Sequence, residues 1–166
     1  MKVFYIFLDI DGVMNDFEYW NECKKRHGNA SVMNMECYPF NPRSLNNLML
    51  LNKELQHKRY AMRIVLSSTW RLDDISTEIV KSRLAEYGMT IYDKTLQSNR
   101  LLLDKLDSHR SFEIKKWLET HKNPTNYLIL DDDNDILNNF EEKHCINTNA
   151  RYGFNDEKLK EAIGKI

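Results

Sequence analysis

Three runs of consecutive apolar residues stand out in the pattern of hydrophobic and polar positions along the chain. They cover residues 3–8, 64–66 and 127–130. Because apolar side chains occupy successive rather than alternate positions, the runs predict strands that are covered on both faces, as in a parallel sheet flanked by helices. Shorter apolar pieces at residues 89–92 and 145–147 predict outer strands.

Helical periodicity occupies much of the chain between and after these runs. It predicts helices over residues 42–57, 73–87, 110–118 and 156–163, with Gly88 as the C-terminal stop of the second. The alternation of strands and helices predicts an α/β fold, a three-layer α/β/α, Rossmann-like parallel sheet.

The first long strand is followed directly by two acids, Asp9 and Asp11, and then by Gly12, which permits a backbone turn. The two carboxylates point to the same side of an extended chain, at the strand end where parallel sheets bind ligands. One carboxylate can attack phosphorus while the other protonates the leaving oxygen and later activates water. The pair therefore points to phosphoryl chemistry, with an ordinary Asp-Gly turn as the alternative.

The second strand ends in hydroxyl residues followed by a guanidinium group. Ser67 and Ser68 lie at the strand end, and Arg71 follows three residues later. A hydroxyl and a bidentate Arg can both bind phosphoryl oxygens, so these residues are candidate phosphate ligands. A helix cap with a solvated Arg71 is the alternative.

The third long strand ends in the acids Asp131, Asp132 and Asp133, with Asp135 close behind. Crowded carboxylates repel one another, and a hard cation held by oxygen ligands relieves that cost. Mg²⁺ is favoured because it binds through few carboxylates together with waters and substrate phosphate. Capping of a helix that starts near Asn134 is a second role, and both can hold.

Arg110 lies in or just before the first turn of the helix predicted over residues 110–118. The helix dipole disfavours a cation at that end, which makes pairing with acids or phosphate attractive. A solvated Arg beside Lys115 and Lys116 is the alternative.

Taken in order, these four elements resemble the haloacid dehalogenase (HAD) superfamily of phosphatases. In detail, the segments SSTWR, RSFEIKKWL and LILDDDND resemble its small branch from RNA-repair proteins. The resemblance implies Asp9 as nucleophile and metal ligand, Asp11 as acid/base that also offers its backbone carbonyl to the metal, and Ser67 as the phosphate-binding hydroxyl. Arg110 takes the place of a family Lys/Arg that is more often Lys, so Lys105 and Lys115 remain possible substitutes.

The resemblance also implies an acidic motif that holds the metal. Asp132 is the first choice as metal ligand because it occupies the second position of the acidic pair, and Asp131 is the close alternative. Asp135 would not bind the metal itself but would contact the residues that do.

An irregular segment over residues 14–39, inserted after the first strand, matches the position of a small flap in the family. It holds Phe17, Tyr19, Trp20 and Tyr38, together with the basic run of residues 24–27. If it covers the site, its aromatic side chains could stack on a base or sugar and its cations could meet phosphate. Packing of these rings onto the body of the protein is the alternative.

Length and composition fit this interpretation. A chain of 166 residues with no visible linker or repeat predicts one domain over residues 1–166. Its formal net charge of −1 gives no global attraction to nucleic acid. We find neither a secretory leader nor an apolar stretch of membrane-spanning length, so we expect a soluble, cytoplasmic protein that does not bind membranes. Three cysteines without a paired framework predict reduced thiols, and a zinc site from Cys23, His27 and Cys37 lacks a fourth ligand.

The sequence therefore predicts a Mg²⁺-dependent phosphomonoesterase that works through an aspartyl phosphate on a nucleotide or a nucleic-acid terminal phosphate. The alternatives are a catalytically silent phosphate-binding or regulatory protein of the same fold, and a phosphatase of small non-nucleotide metabolites. A response-regulator receiver domain is disfavoured, because its acidic pair should follow the first strand and its phosphorylated Asp a middle strand. Oligomeric state is left open.

Overall fold

The structure, a computed structural model, describes residues 1–27, 40–97 and 109–166. Within them, five strands form one sheet in the order β3-β2-β1-β4-β5, and every neighbouring pair is parallel. The strands are β1 (Lys2–Leu8), β2 (Tyr60–Leu66), β3 (Ile91–Lys94), β4 (Tyr127–Asp131) and β5 (Cys145–Asn147). The predicted parallel sheet is confirmed.

Six helices accompany the sheet in the described ranges. They are α1 (Phe17–His27), α2 (Pro42–His57), α3 (Asp74–Ala85), α4 (His109–Thr120), α5 (Asp135–Asn139) and α6 (Asp156–Gly164), with 3-10 turns at Thr69–Leu72 and Glu142–His144. None of the helices in these ranges is long and apolar enough to cross a membrane.

The helices cover both faces of the sheet. Alternate β1 residues Phe4, Ile6 and Leu8 belong to a core shared with α2, α3 and α6, whereas Phe7 packs in a second core with α4 and α5. This division follows the two-residue period of strand side chains. The predicted three-layer α/β/α architecture is confirmed.

Local signals in the sequence fix where several helices begin. Asn41 caps α2 by accepting a hydrogen bond from the Arg43 backbone N–H at 2.9 Å. Asp73 caps α3 in the same way, accepting from Ser76 N at 2.8 Å. The predicted helix over residues 73–87 is therefore one residue too long at its start, because Asp73 lies outside the helix it caps.

The segment predicted to be irregular contains a helix, α1, that the sequence analysis missed. Asp16, the residue before α1, caps this helix: its Oδ1 accepts a hydrogen bond from Tyr19 N at 2.8 Å. Met14, assigned to the insert, is fully buried in the core next to the sheet. Residues 28–39, which include Cys37 and Tyr38, lie outside the described residues.

The two ends of the inserted segment are tied together beside the sheet. Asn15 Oδ1 accepts from Phe40 N at 2.8 Å, and Asn41 Nδ2 donates to Asp16 Oδ2 at 2.6 Å. Asn41 N also donates to Met14 O at 2.8 Å. Because these groups are buried, the bonds fix the start of α1 relative to the start of α2.

A buried ion pair holds the end of β2 in place. The Arg71 guanidinium donates to the carbonyls of Ser67, Ser68 and Thr95 at 2.7 to 3.0 Å and to the Glu113 carboxylate on α4 at 2.5 Å. Burial lowers the pKa of Arg71, while the charge of Glu113 opposes this effect. The pair thus connects β2, the segment after β3, and α4.

Glu113→Gln should lower the free energy of unfolding by about 3 kcal/mol, because it leaves the buried Arg71 charge without a counter-ion. Urea unfolding followed by circular dichroism measures the loss. Glu78→Gln, which breaks an exposed pair with Lys81, is the matched control and should cost less than about 1 kcal/mol. Equal effects of the two substitutions would contradict a structural role for the buried pair.

Candidate active site

Parallel register brings the ends of three strands to one edge of the sheet. Leu8 of β1 is paired with Leu66 of β2 on one side and with Leu130 of β4 on the other. The residues after these pairs remain in register, since Ser67 N donates to Leu8 O and Asp9 N donates to Leu130 O, both at 3.0 Å. Residues far apart in sequence therefore meet at this edge.

Arg110 lies in the first turn of α4 and contacts acids from two of these strands. Its Nη1 lies 2.6 Å from Asp9 Oδ2 and 2.9 Å from Asp131 Oδ2. Burial alone would lower the pKa of Arg110, but the charges of Asp9 and Asp131 outweigh it and raise that pKa. Arg110 is therefore a fixed positive charge beside the carboxylates.

Asp9, Asp131 and Asp132 form a carboxylate cluster, with one oxygen from each lying within 4.8 Å of the others. Burial raises the pKa of Asp131 and of Asp132, and the charge of Asp9 raises both further despite the opposing charge of Arg110. Three converging oxygen donors with excess negative charge fit a hard divalent cation such as Mg²⁺.

Gly12 is required where the chain passes this cluster. Its φ is +76°, and a Cβ built there would lie 2.1 Å from Asp132 Oδ2. Both the backbone conformation and the close approach exclude a larger residue. The Gly of the aspartate motif therefore leaves the space in which the Asp132 carboxylate sits.

The Asp11 carboxylate is exposed and is not one of the three carboxylates of the cluster. Its Oδ2 accepts from Trp70 Nε1 at 2.9 Å, and its Oδ1 accepts from Asn15 Nδ2 at 3.0 Å. Sequence reasoning missed both partners. The four-residue spacing from Asp11 to Asn15 is a local signal that could have been used, whereas no pattern in the sequence links Asp11 to Trp70.

The hydroxyl and guanidinium groups after β2 have different surroundings. Among the described residues, Ser67 Oγ is one of the few buried side-chain atoms without a hydrogen-bond partner. Ser68 Oγ caps the 3-10 turn by accepting from Trp70 N at 3.4 Å. Arg71 directs its donors to backbone carbonyls and to Glu113, so it holds the backbone at Ser67 and Ser68.

The remaining acids serve local structure. Asp133 accepts from Asp135 N at 2.9 Å and so lies at the start of α5. Asp135 Oδ2 accepts from Ser111 Oγ on α4 at 3.4 Å. The α5 helix begins at Asp135, one residue after the predicted start near Asn134.

The other candidate ligands lie apart from the cluster or outside the described residues. Lys115 Nζ donates to Asn139 Oδ1 at 2.9 Å. Lys105 lies outside the described residues. Of the three residues considered for a zinc site, Cys37 and the His27 side chain also lie outside them, and Cys23 is buried.

An open cavity of about 460 Å³ covers the cluster. Its lining includes Asp9, Arg110 and Asp132 together with Asp11 and Phe17. The cavity therefore presents the Asp9 carboxylate, the Arg110 cation and the separate Asp11 carboxylate to the same ligand. This arrangement can hold a phosphoryl group and offer a proton donor to the oxygen of the leaving group.

Comparison with known proteins gives one family. The model of the HAD domain in Swiss Army Knife RNA repair proteins matches residues 5–159. No significant match is found among curated proteins or among solved structures. The matched range includes all five strands, apart from the first residues of β1, and each residue of the cluster described above.

Gly12→Ala should displace the Asp132 carboxylate and reduce any metal-dependent turnover by at least about tenfold, because a displacement of about 1 Å at a site group can cost more than this. Gly88→Ala is the matched control: Gly88 has a similar φ of +69°, but a Cβ added there would meet no atom within 4 Å. Each substitution should cost roughly 1–2 kcal/mol of stability from the backbone. Only Gly12→Ala should impair turnover, and equal activity of the two variants would contradict the assignment.

Proposed function

Since the chain belongs to the family of HAD domains in Swiss Army Knife RNA repair proteins, we propose that it is a phosphatase that hydrolyses phosphomonoesters through an aspartyl phosphate on Asp9. The observation that carries the proposal is the contact of Asp9 with Arg110 inside the carboxylate cluster, at the mouth of an open cavity. A nucleophile next to fixed positive charge is what phosphoryl transfer requires.

In the first step, an Asp9 oxygen attacks phosphorus and the bond from phosphorus to the leaving oxygen breaks. Arg110, 2.6 Å from Asp9, offsets charge on the phosphoryl oxygens. Ser67 Oγ, which has no partner within the described residues, would donate to one of them. The Asp11 carboxyl gives its proton to the leaving oxygen, so an alcohol departs.

In the second step, water attacks the phosphorus of phospho-Asp9. Asp11, now ionised, takes a proton from that water, and the bond from phosphorus to Asp9 breaks. Inorganic phosphate leaves and both carboxyl groups return to their initial states. Asp11 is suited to this alternation because it is exposed and is not one of the three carboxylates that cluster beside Arg110.

The metal we propose is Mg²⁺, which Asp9, Asp131 or Asp132, and the backbone carbonyl of Asp11 would hold. The bound ion would supply further positive charge to the transferring phosphoryl group. Ser68 and Arg71 position Ser67 in this scheme, since Arg71 donates to the carbonyls of both serines. Asp135 supports α4 through Ser111.

The substrate we propose is a nucleotide or a terminal phosphate of a nucleic acid. The family description refers to RNA repair proteins, and repair of RNA ends involves terminal phosphates. The cavity is open to solvent and has Asp11 and Phe17 in its lining, which leaves room for a leaving group larger than a simple alcohol.

Asp9→Asn should lower Mg²⁺-dependent release of phosphate from p-nitrophenyl phosphate by at least about 10³-fold, because the amide cannot act as the nucleophile. A chelator should abolish turnover by the unaltered protein. Asp73→Asn, which retains a helix-capping side chain away from the site, should keep full activity. Unfolding curves confirm that each variant folds, and undiminished hydrolysis by folded Asp9→Asn would overturn the proposal.

Trp70→Phe should lower kcat about tenfold for alkyl phosphates, because the Asp11 carboxylate loses the Nε1 hydrogen bond that orients it. The loss should be smaller for p-nitrophenyl phosphate, whose leaving group needs little protonation. Trp117→Phe removes a comparable bond, from Nε1 to Asp93 of β3, and serves as control. The same loss on both substrates would argue against the orienting role.

A further inference from the structure

A second cavity adjoins the catalytic one and is lined mainly by apolar groups. Its volume is about 240 Å³, and its walls include Phe17 and Trp20 of α1 together with Ala150. Asp11 and Gly12 line both cavities. The two cavities therefore adjoin at Asp11 and Gly12.

Asp11 determines which part of a substrate each cavity receives. The phosphoryl group must lie on the side of Asp9 and Arg110, which contact each other at 2.6 Å. The Asp11 carboxyl must reach the leaving oxygen in order to protonate it. Whatever is attached to that oxygen then extends past Asp11 towards Phe17 and Trp20.

Phe17 is unusual among the exposed apolar side chains because it lines both cavities although it is 60% exposed. Isolated exposed apolar residues need no explanation. The backbone of Phe17, however, is held in place, since its N–H donates to Ala150 O at 3.0 Å and the next residue, Glu18, donates to Arg151 O at 3.2 Å. A ring on a fixed backbone beside Asp11 is a preformed surface for a planar group.

Trp20 also lines the second cavity, about one helical turn after Phe17. The Lys24 ammonium lies 3.9 Å from the centroid of its ring, which holds the indole by a cation–π contact. The cavity is smaller than the ~300–1,000 Å³ of pockets that enclose drug-sized ligands. It therefore suits one ring system rather than several stacked bases.

We propose that Phe17 is a specificity-determining residue: its ring stacks on the base of the nucleotide that loses its phosphate. This inference rests on the proposed phosphatase activity. The substrate class is thus a terminal phosphate on a sugar that carries a base, either as a mononucleotide or at the end of an oligonucleotide. Sugar phosphates without a base lose this contact. Base–aromatic stacking contributes about 1–3 kcal/mol, which corresponds to about 5- to 150-fold in affinity.

The test compares kcat/KM for 3′- and 5′-AMP with that for ribose 5-phosphate. Phe17→Ala should lower kcat/KM for the preferred AMP isomer by about tenfold or more and change that for ribose 5-phosphate by less than about twofold. Phe17→Tyr should restore the preference, whereas Phe17→Leu, which lacks an aromatic face, should not. Tyr92→Ala, at an exposed aromatic of β3, is a control that should leave both values unchanged. Assays with oligonucleotides phosphorylated at the 3′ or the 5′ end show whether the protein acts on a mononucleotide or on the end of a nucleic acid.

A binding measurement separates this inference from the activity on which it rests. Calorimetric titration of Asp9→Asn with both AMP isomers, alone and combined with Phe17→Ala, measures base recognition without turnover. Binding of AMP that depends on the Phe17 ring, together with no hydrolysis of any phosphomonoester by the unaltered protein, would support Phe17 and reject the phosphatase. Two results would overturn the role of Phe17 without contradicting the phosphatase activity. One is hydrolysis without any preference for nucleotides; the other is an equal loss of kcat/KM on AMP and on ribose 5-phosphate in Phe17→Ala.

Discussion

The candidate site depends on keeping several carboxylates together at one edge of a sheet that is otherwise apolar. Asp9 and Asp131 lie almost fully buried at the ends of neighbouring strands, where burial penalises their charge and each carboxylate repels the other. The Arg110 guanidinium offsets that cost by contacting both at 2.6 and 2.9 Å. The structure can hold this cluster because the parallel register fixes the two strand ends and α4 fixes the cation.

The surroundings of the cluster serve to keep these positions constant. Arg71 uses a buried ion pair with Glu113 and three carbonyl contacts to connect the end of β2 to α4, the helix that carries Arg110. Gly12 leaves room for Asp132. Buried charges of this kind contribute little net stability, and we infer that here they specify one geometry when every partner is present. The site is therefore held in a fixed arrangement at some cost in stability.

The sequence was sufficient to predict the sheet, its flanking helices and the order of the charged motifs, because these depend on local periodicity and on the residue types at each strand end. The α2 helix matches its prediction over residues 42–57. Contacts between distant residues could not be predicted: nothing in the sequence indicates that Trp70 Nε1 binds Asp11 or that Arg71 faces Glu113. The α1 helix was missed because most of its residues are polar and its few apolar side chains lie in its first seven residues, although Asp16 was an available capping signal.

These observations divide the site into two parts with different origins. Strand ends and α4 form the side that would hold the phosphoryl group, and their positions follow from the sheet itself. The inserted segment forms the other side through Phe17 and Trp20, and buried bonds such as that from Phe40 N to Asn15 Oδ1 attach it to the same framework. Because Asn15 also donates to the Asp11 carboxylate, one side chain connects the base of the insert to the residue that would protonate the leaving group. Changes in the insert could therefore alter which leaving group is accepted while the chemistry at Asp9 stays the same.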